Sequence, residues 1–414
     1  MIQQHPQQQK PESVLILQGG GSLGAYECGV CKSLARNGIT KFDIIAGTSI
    51  GSINASILSA GYNQEKGIGD SVKTLESFWL ESMIEDVTPS FLPYKERSEL
   101  SAAYSFMYGN PNAFVPLWFI PSGIVVPPAL SFYYYLFNSP YLYSNTRLKK
   151  SLNKYLDFTK LKKSKRIQGG NDDSNHGNDN DGNDDHSNNN NIPRLILPCV
   201  DVQKGEPVVF DSFDIDIDAD NIMACTGYAI YGLPWTKKDG RYLWDGSLRH
   251  NTPLKAVVDA SPKREKRLYV CDVFPKTQQK LPSNMFETLH RVRDLLFVDK
   301  SIEEIKARSD LTKKHLQFIE KMYNVMRSSM SKHEGKATNK SRSKELELQY
   351  NNIIQERGAI IDELIYIQRK EKSGRHFLFE DADFSVDTIK QLIKEGEQDA
   401  EETLKQTQKQ LVKS

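Results

Sequence analysis

Apolar residues cluster in short runs that alternate with helix-period segments. Ser13–Leu17 is an unbroken apolar run ending at a cluster of glycines, the pattern of a strand buried on both faces. The glycine loop Gln18–Gly24 follows, and Ala25–Arg36 carries apolar positions at helical spacing up to the stop signal Asn37-Gly38. Phe42–Ala46 is a second strand, GTSIGS a second small-residue turn, and Ile53–Ala60 a second helix closed by Gly61. Strand, loop and helix repeated twice predict a mainly parallel sheet with crossover helices, hence a three-layer α/β/α domain. Strand character resumes at Arg194–Val200, Pro207–Phe210 and Arg241–Trp244, and Thr252-Pro253 reads as the N-cap and first residue of a helix.

Three segments depart from this alternation. Ser164–Asn191 is Asn, Asp, Gly and Ser with almost nothing apolar, and cannot bury enough surface to offset the entropy of ordering it. Leu100–Thr146 holds no charged residue and is long enough to suggest a membrane span, yet Pro116, Pro121, Pro127 and Pro128 would interrupt a spanning helix. An irregular cap with an aromatic face that includes Trp118, Phe119 and Tyr133–Tyr135 fits it better. Beyond Phe286 the chain is Lys/Glu-rich with helical period, broken by a polar linker near Ser331–Lys344, and carries no catalytic signature. The expected organisation is a disordered tail over 1–11, a catalytic domain over 12–285 with a disordered insertion at 164–191, and a solvated helical extension over 286–414.

Composition narrows the chemistry. Lys+Arg 54 against Asp+Glu 53 leaves a net charge of +1, with no basic block, which argues against nucleic acid. Five cysteines at irregular spacing do not form a disulfide framework, and Cys28-x-x-Cys31 lacks the second pair that a zinc site needs. His176 and His186 lie in the polar insertion, where nothing fixes a metal geometry. The N-terminus, MIQQHPQQQK, has no signal-peptide core, so a cytoplasmic setting is expected. No cofactor is implied, and nothing bears on oligomeric state.

Two strings, Gly20-Gly-Ser22-Leu-Gly24 and Gly47-Thr-Ser49-Ile-Gly51, fit G-x-S-x-G. On pattern alone either serine is a nucleophile candidate. Three consecutive glycines make a better anion cradle than a nucleophile mount, because their N–H groups can approach a developing oxyanion closely. Attack therefore falls to Ser49, with Gly47 and Gly51 forming its elbow, and amide donation to Gly19, Gly20 and Gly21. GGGSLG also fits the dinucleotide fingerprint, but Ala46-Gly47-Thr48 occupies the strand end where that site needs an acid. For a base, only His250 and Asp245 lie near candidate chemistry. A carboxylate can accept the serine proton directly in a dry site, although Asp245-Gly246 alone also reads as an ordinary turn.

A glycine-rich loop after the first strand, G-x-S-x-G after the next, and a late Asp-Gly-small motif within LWDGSLRHNTPL together resemble, in order, the patatin-like phospholipase family over roughly Val14–Val273. RHFLFEDADFSVDTIKQLIKEG looks like a region appended to some bacterial-type members. The resemblance implies a Ser49–Asp245 dyad, an oxyanion hole at Gly19–Gly21, and a phospholipid or other acyl-ester lipid as substrate; the aromatic face of the uncharged stretch adds the expectation of peripheral membrane contact. Ser247 stands where the family usually has Gly or Ala, and Gln18 where many members have Asp, which bears on how the loop is tethered. A different class of function, non-hydrolytic lipid binding or scaffolding on the same fold, also fits the chain.

Overall fold

A computed structural model describes residues 10–119, 127–163 and 192–411, apart from 263, 279, 301, 332–336, 357–359 and 371–378. The expected insertion at 164–191 and most of the N-terminal tail lie outside the described residues.

β1 (Glu12–Leu17) passes through the glycine loop into α1 (Gly24–Arg36), and β2 (Ile44–Gly47) through a sharp turn into α2 (Ile50–Ala60). After α3 (Ser71–Ser77) come α4 (Tyr94–Tyr108), β3 (Val115–Pro116), α5 (Pro128–Asn138), β4 (Tyr143–Ser144) and α6 (Thr146–Tyr155). The chain re-enters the core with β5 (Arg194–Asp201), β6 (Pro207–Asp211), α7 (Ala219–Ala224), β7 (Thr236–Lys238), β8 (Arg241–Asp245), α8 (Leu254–Ala260) and β9 (Lys266–Asp272). α9 (Met285–Phe297), α10 (Ile302–Ser331), α11 (Ala337–Glu356), β10 (Ile361–Gln368) and α12 (Val386–Leu411) complete it. α11 begins inside the stretch expected as a polar linker.

The central sheet runs β10-β9-β1-β2-β5-β8-β7, with β6 also on β5. β10, β9, β1, β2 and β5 are parallel, and β6, β7 and β8 are antiparallel additions. Both faces are covered, as the unbroken apolar run of β1 requires. Leu15 and Leu17 pack toward Tyr26, Ile53 and Leu392, whereas Val14 and Ile16 pack toward Leu254, Val257 and Ile302. This is the expected three-layer α/β/α arrangement.

The C-terminal region is largely helical, as its periodicity predicts, but it is not a solvated appendage. β10 extends the sheet alongside β9, and α12 packs against α1 so closely that a Cβ on Gly29 would meet the Ile393 carbonyl oxygen at 1.9 Å, and one on Gly396 the Tyr26 carbonyl oxygen at 2.0 Å. Burial of Ile389, Leu392 and Ile393 in the main core outweighs the polar composition of the segment.

The described residues of the uncharged stretch form an irregular cap. Trp118 packs edge-on against Phe132 and Tyr143 and is only 6% exposed, so it belongs to the cap interior rather than to an aromatic outer face. Tyr133, Tyr134 and Phe137 on α5 are exposed. No helix of the described residues is long and apolar enough to cross a membrane.

Candidate active site

Ser49 stands between the end of β2 and the start of α2 with φ +55° and ψ −126°, one of three non-glycine residues at positive φ among those described. That strained turn is held by its neighbours. Ser52 N–H donates to the Ser49 carbonyl at 2.9 Å, and Ser52 Oγ donates to the Gly47 carbonyl at 2.8 Å. A Cβ on Gly47 would fall 2.0 Å from the Gly51 carbonyl oxygen, and one on Gly51 would fall 2.6 Å from those of Leu17 and Gln18. The elbow therefore requires glycine at both places, and it delivers the Ser49 hydroxyl to the positive end of α2.

Asp245 reaches the same level at the end of β8, which runs antiparallel to β5. Register sets Asp245 beside Cys199, and Ala46 of β2 beside Ile196. Ser49 and Cys199 each lie three residues further on, which brings nucleophile and carboxylate to one height. Asp245 is fully buried, and its Oδ1 accepts the Ser247 N–H at 2.8 Å. Burial pushes its pKa up to about 6, against the smaller opposing pull of the neighbouring Ser49 hydroxyl and of Ser247. Among the described residues Oδ2 has no hydrogen-bond partner of regular geometry, although the Ser49 hydroxyl lies close enough to influence this carboxylate. His250 is exposed and does not line the cavity.

The glycine loop is pinned from several sides. Gln18 Nε2 donates to Thr252 Oγ1 at 2.7 Å, and Gln18 Oε1 accepts the Val273 N–H at 3.1 Å. Thr252 thus serves the loop, while Pro253 takes the N-cap position of α8. Gly19 N–H donates to Asn251 Oδ1 at 3.0 Å, and Asn251 Nδ2 donates back to the Gly19 carbonyl at 3.1 Å. Gly19 was expected to donate to an oxyanion, but its amide is already engaged. Gly20 and Gly21 are the loop glycines whose N–H groups have no partner among the described residues. Ser22, the rival nucleophile, is fully buried, donates from Oγ to the Glu380 carbonyl at 3.2 Å, and does not reach the cavity.

Above Ser49 and Gly19–Gly21 opens a cavity enclosing about 990 Å³ of empty space, part of it continuous with solvent. Its walls are mainly apolar, among them Ile53, Met83, Phe106, Phe114, Phe274 and Phe297. Polar groups on its lining are Thr226, Tyr228, Tyr231, Ser247, Asn251 and Asp381. A hydroxyl on a strained turn, a buried carboxylate and two glycine amides beneath an apolar chamber have the chemistry that acyl transfer on an ester with a long hydrocarbon tail would need. Cys28 and Cys31 are buried in the core, and among the described residues no cluster of three His, Cys, Asp or Glu side chains suits a metal.

Sequence reasoning passed over Asn251, Tyr231 and Asp381. Asn251 lies within LWDGSLRHNTPL and Asp381 within RHFLFEDADFS, so both stood in stretches that carried the resemblance without having been given a role.

The sequence model of the patatin-like phospholipase family matches residues 15–258. Among solved structures, VipD from Legionella pneumophila is similar at 15% identity and a TM-score of 0.39, covering 96% of this chain and 67% of that one. No curated protein matches the sequence.

Proposed function

The chain belongs to the patatin-like phospholipase family, and on that premise we propose that it hydrolyses acyl esters of lipids with Ser49 as nucleophile and Asp245 as general base. The observation that carries this reading is the buried Asp245 carboxylate, whose pKa burial raises and which the neighbouring Ser49 hydroxyl pulls back, so that the two groups are within each other's influence. A carboxylate kept from water is more basic, and so better able to take the hydroxyl proton.

In this mechanism Ser49 Oγ attacks the ester carbonyl as its proton passes to Asp245. The resulting oxyanion accepts the N–H groups of Gly20 and Gly21, in the loop that leads into α1. Collapse expels the alcohol portion, which leaves with the proton from Asp245. Water, deprotonated by Asp245 in turn, then attacks the acyl-enzyme; the acyl–Oγ bond breaks, Ser49 Oγ takes the proton back from Asp245, and the fatty acid is released. The apolar cavity accommodates the acyl chain throughout. We place the reaction at a membrane surface, because the exposed aromatics of α5 sit on an uncharged cap whose inner residues Phe106, Phe114 and Tyr143 line the cavity.

Labelling with a fluorophosphonate probe and peptide mapping of the adduct tests the assignment. Modification is expected on the Ser49 peptide alone. A protein that retains lipid but takes no label would turn the reading toward a non-hydrolytic lipid-binding protein.

A further inference from the structure

The glycine loop touches a segment about 360 residues further along the chain. The short turn Glu380–Ala382 lies against it. A Cβ on Gly21, whose φ is +55°, would fall 2.2 Å from the Asp381 carbonyl oxygen. Ser22 Oγ donates to the adjacent Glu380 carbonyl. The loop is therefore held between Asn251 at Gly19 and the main chain of residues 380–381 at Gly21 and Ser22.

What fixes that turn is a buried polar network. Arg293 Nη1 donates to Asp381 Oδ1 at 2.7 Å, and the Tyr231 hydroxyl donates to Asp381 Oδ1 and Oδ2 at 2.8 and 3.0 Å. Arg293 Nη2 donates to Asp294 Oδ1 at 2.8 Å, and Arg369 Nη2 pairs with Glu380. All five charged side chains are buried. Two arginines facing three carboxylates in a dry setting form directed, charge-assisted bonds. Phe379 enters the turn at φ +69° and stacks on Phe106 of the cavity wall, with ring centroids 4.1 Å apart. A left-handed phenylalanine persists only where its surroundings enforce it.

We propose that Asp381 is a positioning residue for the acyl-transfer reaction: its carboxylate, anchored by Arg293 and Tyr231, seats its own backbone carbonyl against Gly21 and so sets the direction of the Gly20 and Gly21 amides. This inference rests on the function proposed above. It also makes the C-terminal segment part of the active site, because Asp381, Ala382 and Phe384 line the same cavity. Asp381 touches no reacting atom and works through the loop it holds.

Asp381→Asn in the full chain tests this, since it preserves size and leaves Arg293 paired with Asp294 and Glu380. Turnover of a short soluble ester is expected to fall by about 10-fold or more with KM changed less than about 2-fold, the scale of a misaligned oxyanion donor. Hydrogen–deuterium exchange provides a readout independent of turnover: the peptide over residues 18–24 should exchange faster while that over 50–60 does not. Tyr231→Phe, a milder change, should move both in the same direction and carries the test if Asp381→Asn does not fold. Unchanged kcat with unchanged loop exchange would overturn the proposal, as would a uniform rise in exchange across the domain. If the unmodified protein turns over no ester, the proposed function fails by itself, and the exchange data still decide whether Asp381 holds the loop.

Discussion

Asn251 closes a ring of two hydrogen bonds with Gly19, accepting its N–H through Oδ1 at 3.0 Å and donating to its carbonyl through Nδ2 at 3.1 Å. The same amide nitrogen also donates to the Phe297 carbonyl at 3.1 Å. One side chain thereby ties the first glycine of the loop to the end of α9. Asn251→Ala strands these groups, at about 1–3 kcal/mol for each one left buried and unpaired. Lower thermal stability and a drop in kcat larger than any rise in KM are expected. Asn251→Asp would still accept from Gly19 N–H but would face two carbonyl oxygens with a carboxylate, so it should fare no better than Ala. Wild-type turnover in the Asp variant would remove Asn251 from the loop's support.

The two G-x-S-x-G strings make opposite predictions under mutation. Ser49→Ala should abolish esterase activity and fluorophosphonate labelling, since the elbow hydroxyl is the one in the cavity. Ser22→Ala removes only the bond to the Glu380 carbonyl. It should leave a folded enzyme with part of its activity. Loss of labelling in Ser22→Ala alone would reverse the roles of the two loops.

Asp245 also sets a pH dependence. Burial raises its pKa to about 6, and the base must be ionised to accept a proton, so kcat/KM should climb with pH through about 6 and level off above it. Asp272 and Glu85 are raised as well, to about 6 and about 7, so the mutant rather than the profile identifies the base. Asp245→Asn should lose orders of magnitude in turnover, and His250→Ala little. The stability effect runs the other way. Folding favours the protonated form of a carboxyl whose pKa is raised, so that contribution is complete below the ordinary value of 3.8 and is lost as pH rises through about 6. Above pH 7 the inactive Asp245→Asn protein should therefore melt no lower than wild type. A profile flat down to pH 5 would exclude Asp245 as the base.

The local signals in the sequence describe the first half of the site well. Gly47, Ser49 and Gly51 could be placed because a strand ending in small residues before a helix has few ways to turn. The Asp245 motif was equally visible, but its height beside Ser49 depends on β8 pairing antiparallel with β5, a tertiary choice that no local pattern states. Gly19 was misassigned for a related reason: whether an amide is free depends on a partner 232 residues away. Asp381 was hidden because its stretch is rich in charge, and charge reads as solvent exposure until an arginine such as Arg293 or Arg369 is found inside; β10 was hidden because its short apolar run, IDELIYIQ, sits among Lys/Glu-rich segments read as helical.

That burial predicts the behaviour of a shortened chain. Ending the protein after Glu356 removes β10 and α12, exposes the edge of β9 and uncovers the face of α1 around Gly29. An open parallel edge and a bare apolar helix favour aggregation. Insoluble or unfolded protein is expected, judged by recovery in the soluble fraction and by near-ultraviolet dichroism. A soluble truncated chain that still hydrolysed ester would show that the catalytic domain stands alone.

The cap divides into residues that hold it together and residues that face outward, and the two sets should respond differently. Trp118 is buried against Tyr143, which lines the cavity. Trp118→Ser should lower stability by several kcal/mol, on the order of 3–5 for loss of a large buried aromatic, and reduce activity on every substrate. Tyr133, Tyr134 and Phe137 are more than 60% exposed on α5. Aromatic side chains with an apolar body suit a lipid–water boundary. The triple change of these three to Ser should leave the melting temperature and soluble-ester turnover near wild type while weakening sedimentation with phosphatidylcholine vesicles and slowing hydrolysis of vesicle lipid. Because no residue between Leu100 and Thr146 is charged, binding through this surface should survive high salt, which screens only electrostatic attachment. Vesicle binding that salt abolishes, or that the triple variant retains in full, would move the membrane contact to another face of the molecule.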